Sequence, residues 1–124
     1  MKPFELPRLL VIVTAISALP SPAAPTETVE NVYRLYCVQC HGTLGNGEGL
    51  AWTSGGLTVQ PMNHTSPELM AKLSDEELRS AITEGGAAVD KSDLMPSWGK
   101  TLPAATIDQL VRYLRKLCKC EGRK

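Results

Sequence analysis

The sequence is poor in what a small domain usually builds its interior from. Aromatic residues make up 5% of the chain, and its single phenylalanine, Phe4, lies close to the N-terminus. No stretch alternates apolar and polar residues in the way a half-buried strand requires, and neither an internal repeat nor a low-complexity tract is present. A β-rich fold and a solenoid are therefore not expected. Charge of one sign is also missing, because thirteen basic residues stand against thirteen acidic ones. A balanced chain lacks the basic footprint of general nucleic-acid binding, so no nucleic-acid partner is expected. Long hydrophobic runs are absent too: LLVIVTAISAL, from Leu9 to Leu19, is too short to cross a bilayer comfortably as a helix. A domain this small and this short of large apolar side chains needs a staple, and a covalently held hydrophobic cofactor would supply the interior.

The short apolar run has a different grammar. Lys2 and Arg8 precede it and the small, Pro-rich PSPAAPTETVE follows, as in an export signal. Ser21 and Ala23 suit the small-residue positions of a cleavage site, so residues 1–23 are expected to be removed. That leaves eleven basic against twelve acidic side chains and no membrane span. If the segment is instead retained, it anchors the protein. Both readings export the rest of the chain, and the expected location is the periplasm.

Three helical stretches separate long irregular ones, which points to an all-α domain. The first runs from about Thr28 to Val38, with Val29, Val32, Tyr33 and Tyr36 on one face. From Gly42 to Ser66 no amphipathic period survives, and a loop that long in a small domain is functional or disordered. The middle region reads as two pieces, SPELMAKL with Ser66 and Pro67 as N-cap and first residue, and SDEELRSAITEGG with Ser74 and Glu77 as a capping box. The third stretch, from about Pro103 to Cys118, carries the stripe Ile107, Leu110, Val111, Leu114 and Leu117. Asp75, Glu76 and Glu77 form an acidic cluster, and Arg112, Arg115, Lys116, Lys119, Arg123 and Lys124 crowd the C-terminus. These charges either complement helix ends and solvate a face or form a docking patch for an acidic partner.

The chemistry is carried by CVQCHGTLGNGEG, residues 37–49. Cys37, Cys40 and His41 form the c-type haem attachment pattern. At this spacing two thiols can add to the two vinyl groups on one porphyrin edge, and the histidine that follows is held under the iron. Attachment of c-type haem takes place outside the cytoplasm, which agrees with an exported chain. A six-coordinate iron needs a second axial ligand, for which Met62, Met70, Met95, His64, Cys118 and Cys120 are the candidates. Met95 in LMPSWG is the best of them, because it lies in an irregular segment where nothing else explains an apolar residue beside Pro96. A thioether there would raise the reduction potential. Met70 falls in a helical pattern and reads as core, Met62 is the second choice of thioether, and His64 is expected to be a solvent-facing loop residue. Trp52 and Trp98 are candidates for hydrogen bonding to the propionates or packing on the haem edge. Asn63-His64-Thr65 matches a glycosylation sequon and is read as chance.

With these residues in place, the chain from about Thr26 to Leu117 resembles the class I monohaem cytochromes c of bacteria. The resemblance rests on Cys37-x-x-Cys40-His41-Gly42, on Gly45, Gly47 and Gly49, on Met95-Pro96 with Trp98, on LVRYLRKL with Tyr113, and on Tyr33 four residues before Cys37. It implies three to four helices with long loops wrapped around one covalently bound haem c, held through Cys37 and Cys40 and ligated by His41 and Met95. It also implies crossing first and last helices with an aromatic contact between them. The implied domain spans residues 24–117, followed by a basic tail at 118–124. The implied function is one-electron transfer between periplasmic redox proteins, without catalysis of its own. Val29 stands where the family usually has a glycine that allows close helix crossing, Leu50 where many members have a proline whose carbonyl orients the histidine, and Pro103 where a Ser or Thr often caps the last helix. A carbonyl near Gly49 or Leu50 is expected to accept from His41 instead.

Cys118 and Cys120 lie outside the family pattern. Cys118 is expected to be buried, and Cys120 to be an exposed thiol able to cross-link two chains, since a bond across one intervening residue is uncommon. Two other readings remain. One is a subunit of an oxidoreductase complex. The other is a structural zinc protein using Cys37, Cys40, Cys118 and Cys120, which leaves His41, the glycines and LMPSWG unexplained. A thioredoxin-like use of the first pair lacks the βαβ pattern it requires.

Overall fold

In a computed structural model residues 27–124 are described; the expected export signal lies outside the described residues. Thr28 caps α1 (Val29–Tyr36), its hydroxyl accepting from the Asn31 amide at 3.3 Å. Cys37 breaks the helix and the chain re-enters a single turn, α2 (Val38–His41), which Gly42 ends at φ 83°. The long glycine loop follows, and it contains one helical turn that sequence periodicity missed, α3 (Leu50–Thr53). Ser66 and Pro67 start α4 (Pro67–Met70), and Ser74 and Glu77 form the expected reciprocal capping box on α5 (Asp75–Glu84). A 3-10 turn (Gly86–Val89) and an irregular segment lead to α6 (Ala104–Cys118), the longest helix among the described residues. Pro103 precedes it without any side-chain cap. Among the described residues no strand occurs.

The core is the stripe of α6 and what packs on it. Ile107, Leu110, Val111, Leu114 and Cys118 are buried, with Cys118 taking the place expected of the half-buried Leu117. At roughly 1.5–3 kcal/mol for each fully buried aliphatic side chain, this one face is a large contributor, holding five of the eleven buried hydrophobic residues among those described. Val32 and Tyr33 of α1, Met70 of α4, and Leu78 and Ile82 of α5 cover it. The α1–α6 crossing is marked by the expected aromatic contact, Tyr33 against Tyr113, with ring centroids 5.2 Å apart at 59°.

The C-terminus differs from expectation. Lys119 takes a left-handed conformation, φ 52° and ψ 40°, which turns the chain back on α6. The Cys120 amide then donates to the Arg115 carbonyl at 3.3 Å, and Cys120 is joined to Cys118 in a disulfide, their Cα atoms 5.2 Å apart. The expected exposed thiol, and with it cross-linking through Cys120, is therefore corrected: a sharp turn supplies the geometry that an extended Cys-x-Cys would lack. Beyond it the tail docks rather than frays. The Arg123 amide donates to the Leu73 carbonyl at 3.2 Å and its guanidinium meets Glu77 at 2.8 Å. Arg115, nearly buried, donates to Asp75 at 2.8 Å and to the carbonyls of Met70 and Leu73 at 2.7 Å each. The acidic start of α5 and part of the basic C-terminus thus serve each other.

Candidate cofactor-binding site

The core leaves a cleft of about 930 Å³ between α1–α2, α5 and the segment before α6. Both ends of the expected ligand set reach it: Cys37, Cys40 and His41 on one side and Met95 with Trp98 on the other, among apolar neighbours including Leu57, Val59, Leu78, Ile82 and Leu102.

The cysteine side is built by α2 and the loop after it. The His41 amide donates to the Cys37 carbonyl at 2.9 Å, so the turn presents both thiols and the imidazole on one short element. The loop then folds over α2: Gly47 donates to the His41 carbonyl at 2.8 Å and Gly49 to that of Cys40 at 3.1 Å. Gly49 has to be glycine, since a Cβ there would stand 2.5 Å from the Cys40 carbonyl oxygen. The same loop reaches His64, whose amide donates to the Gly45 carbonyl at 2.6 Å.

His41 is almost fully buried, and its Nδ1 lies 3.0 Å from the carbonyl oxygen of Met62. A carbonyl only accepts, so Nδ1 carries the proton and the lone pair of the neutral ring resides on Nε2. Burial lowers the affinity of this imidazole for a second proton, partly countered by the Met62 bond. The partner is Met62 rather than the expected carbonyl near Gly49 or Leu50, because those residues turn into α3 and are occupied there: the Gly49 carbonyl accepts from Trp52 and Thr53. Burial, and then the charge of Cys40, push the Cys37 thiol up to about 12, so it remains a neutral thiol.

On the other side, the last carbonyls of α5 hold Met95 in place. A helix leaves these acceptors without partners, and here the returning chain takes them. Trp98 donates to the Ile82 carbonyl at 2.9 Å, Gly99 to that of Thr83 at 3.0 Å, and the Ser97 hydroxyl also to Thr83 at 2.8 Å. Gly85, at φ 95°, ends the helix, and the Gly86 amide donates to the Met95 carbonyl at 3.0 Å. A Cβ on Gly86 would collide with the Ser92 carbonyl and press on the Met95 side chain at 3.1 Å. Trp98 packs on Tyr36 at a centroid distance of 5.1 Å.

The other sequence candidates separate cleanly. Met70 is fully buried in the core, as expected, and does not line the cleft. Trp52, a candidate for cofactor contact, lies half-buried on α3 outside the cleft lining, because α3 turns away from it. His64, expected to face solvent, is 7% exposed, lines the cleft, and stacks on His41 with ring centroids 4.1 Å apart at 20°. Its Nδ1 is 2.9 Å from the Tyr33 hydroxyl, and burial, followed by the proximity of His41, holds its basicity well below the ordinary histidine value. The signal for this was local: Asn63 Oδ1 accepts from the Thr65 amide at 2.8 Å and its hydroxyl at 2.7 Å, a turn that swings residue 64 inward. The two polar residues of the sequon, Asn63 and Thr65, are bonded to each other in that turn.

A haem suits this arrangement. The cleft falls within the roughly 300–1,000 Å³ usual for cofactor sites. Its lining is mostly apolar, and it gathers two thiols, an imidazole with a free Nε2 and a thioether. Zinc does not fit, since Cys118 and Cys120 are bonded to each other. Among the described residues no group of three or more His, Cys, Asp or Glu could hold a metal ion.

Comparison with known proteins agrees with the geometry. A family model described as cytochrome c oxidase, cbb3-type, subunit III matches residues 24–114. No curated protein matches the chain. Among solved structures, the KustC0563 c-type cytochrome superposes with a TM-score of 0.56 at 27% identity, covering 71% of this chain and 94% of that one. A chain of the Kuenenia stuttgartiensis reducing HAO-like protein complex Kustc0457/Kustc0458 gives 0.57 at 28% identity over 80% of this chain. This chain spans 45% of that larger one.

Proposed function

The chain belongs to the family described as cytochrome c oxidase, cbb3-type, subunit III, and on that premise we propose that His41 and Met95 ligate the iron of its haem. It has the cytochrome c fold, carries covalently bound haem c, and its function is electron transfer. The haem supplies the one-electron chemistry, its iron alternating between ferric and ferrous states.

The protein's own residues do the rest. Cys37 and Cys40 are the tethers in this reading. Met62 holds the His41 ring through Nδ1 and leaves Nε2 for the iron, a second contact that orients the ligand and raises its basicity. The observation that carries the choice of Met95 is the clamp of its loop onto the end of α5 beside the cleft. Of the methionines lining the cleft, Met62 is committed to the His41 side by its carbonyl, and His64 is committed by its stack on His41 and its bond to Tyr33. Trp98 and the aliphatic lining exclude water from the iron's surroundings. A filled sixth position leaves no place for a substrate, so the protein acts as a carrier and not as an enzyme. Residues 1–23 would direct it to the periplasm, where its donor and acceptor are redox proteins; N-terminal sequencing of the purified protein tests the cleavage.

Optical spectra of oxidised and reduced protein with a pyridine haemochrome assay test the reading. The expected result is a covalent c-type signature plus the far-red methionine-to-iron band of the ferric form. Absence of that band rejects Met95.

A second reading, a permanent subunit of an oxidoreductase complex, draws support from the family's description and from the neighbour that is part of a complex. Exposed Leu35, Val59, Leu69 and Leu94 on the cleft lining would give such a partner apolar contact. Under that reading the natively purified protein elutes in a stoichiometric complex rather than alone.

A further inference from the structure

Electron transfer through a ligated haem accounts for His41 and Met95 but has no use for the second buried imidazole. His64 is 7% exposed, in a position where a leucine or phenylalanine would fill the space without the cost of desolvating a polar ring. Its neighbours form a chain. Tyr113 of α6 packs on Tyr33 of α1 at 5.2 Å, the Tyr33 hydroxyl meets His64 Nδ1 at 2.9 Å, and the His64 ring lies 4.1 Å from His41 at 20°. Burial raises Tyr33 well above the ordinary phenol value, so its hydroxyl keeps the hydrogen it can donate to Nδ1. The helix crossing is thereby linked, ring by ring, to the imidazole that faces the cofactor.

We propose that His64 is a positioning residue that sets the orientation of the His41 ring and lowers the reduction potential relative to apolar packing; this rests on His41 being the iron ligand. The His41–Met62 bond fixes one edge of the ring. A single bond to a carbonyl tolerates a broad range of directions, and rotation about the bond joining Cβ to an imidazole ring is itself soft. A near-parallel ring against one face removes that remaining tilt. His64 is in turn held from two ends, by Tyr33 through its side chain and by Gly45 through its backbone. The sign of the electrostatic effect follows from charge. The ferric state is the more positive, and a polar, electron-rich ring against its axial ligand stabilises it more than an aliphatic side chain would. Hydrogen bonding and burial around the axial ligands are the levers by which a protein sets a haem potential.

The experiment uses the full-length haem-loaded protein and three variants, His64→Leu, His64→Phe and Tyr33→Phe. Haem content, potential by spectroelectrochemistry, and haem-methyl NMR shifts of the ferric form are measured; the methyl shifts report the plane of the axial ligand. In His64→Leu the c-type spectrum and far-red band persist and the methyl-shift pattern changes. The ferrous-to-ferric ratio at fixed potential rises at least threefold, which at roughly 59 mV per tenfold for one electron is about 28 mV. His64→Phe restores the methyl-shift pattern by keeping a stacked ring but leaves the potential raised. Tyr33→Phe, nearly isosteric, moves both readouts in the direction of His64→Leu by less, and carries the test alone if His64→Leu fails to load haem. Unchanged methyl shifts and potential in His64→Leu, or in Tyr33→Phe where that variant stands alone, overturn the proposal. A wild-type spectrum in His41→Ala would instead overturn the ligand assignment beneath it.

Discussion

Met95 owes its place to hydrogen bonds made by its neighbours, not by itself. Its thioether carries no bond, while Gly86, Trp98 and Gly99 stitch the loop to the end of α5. Replacing Met95 with Ala should therefore leave the covalent haem and the fold in place while removing the thioether proposed as the second ligand. The expected outcome is an unchanged pyridine haemochrome, loss of the far-red band, and a fall in potential on the order of 0.1 V, well inside the roughly 0.8 V that axial ligation spans. Redox titration of the variant checks it. That Met95 reaches the cleft was legible in the sequence because Met-Pro-x-Trp is a local pattern in a segment with no other reason to be apolar, and the grouping of Cys37, Cys40 and His41 there because they are contiguous. Trp52 had the right chemistry but nothing in the sequence fixed the direction of the helical turn that carries it away from the cleft. His64 had no apolar period to mark it, and its inward turn depends on one Asn63 side chain bonding two residues on.

Among the elements, α5 carries the most, since it covers the core with Leu78 and Ile82 and ends in the carbonyls that hold the Met95 loop. Its start is secured by the Ser74–Glu77 capping box. Ser74→Ala should cost about 1 kcal/mol of unfolding free energy, measurable as a lower denaturation midpoint at unchanged slope. Glu77 adds a pH dependence. Its bonds from Ser74, together with Arg123, hold its carboxyl below the ordinary glutamate value in the fold. A group whose folded value is depressed contributes stability above its unfolded value and loses it as pH falls through the folded one. Wild-type stability should accordingly drop more steeply than that of Glu77→Gln as pH is lowered through the glutamate range, and denaturation midpoints across that range decide it. The period of α5 and α6 and the box were readable because ten or fifteen residues display a repeat. The four-residue turns α3 and Gly86–Val89 are too short to show one. The Cys118–Cys120 bond was hidden for another reason: it depends on Lys119 adopting a left-handed conformation that few non-glycine residues take.

For the whole molecule, the docked C-terminus and the cofactor cleft make separate demands on stability. The disulfide and the paired tail leave no thiol to link chains, so the denatured haem-loaded protein should show no reactive thiol before reduction and two afterwards, and run as a monomer without reductant. Arg115 is the hub of that end, satisfying the carbonyls of Met70 and Leu73 while meeting Asp75. The cleft matters more. Its lining includes Leu78, Ile82, Leu102, Leu110 and Leu114, the same side chains that make up the core, so the cofactor and the helices share one interior. A domain of this size buries only about 60–70% of its unfolded surface even when complete, and net stabilities of single domains are roughly 5–15 kcal/mol. With about 930 Å³ of shared interior open to water, the apolar faces of α1, α5 and α6 lose much of the burial that opposes chain entropy. The double variant Cys37→Ala/Cys40→Ala, unable to hold haem covalently, should retain helical circular dichroism only in part and lose the cooperative thermal transition of the loaded protein. A sharp transition at the wild-type midpoint in that variant would mean that α6 and its disulfide-bonded end carry the fold without the cofactor.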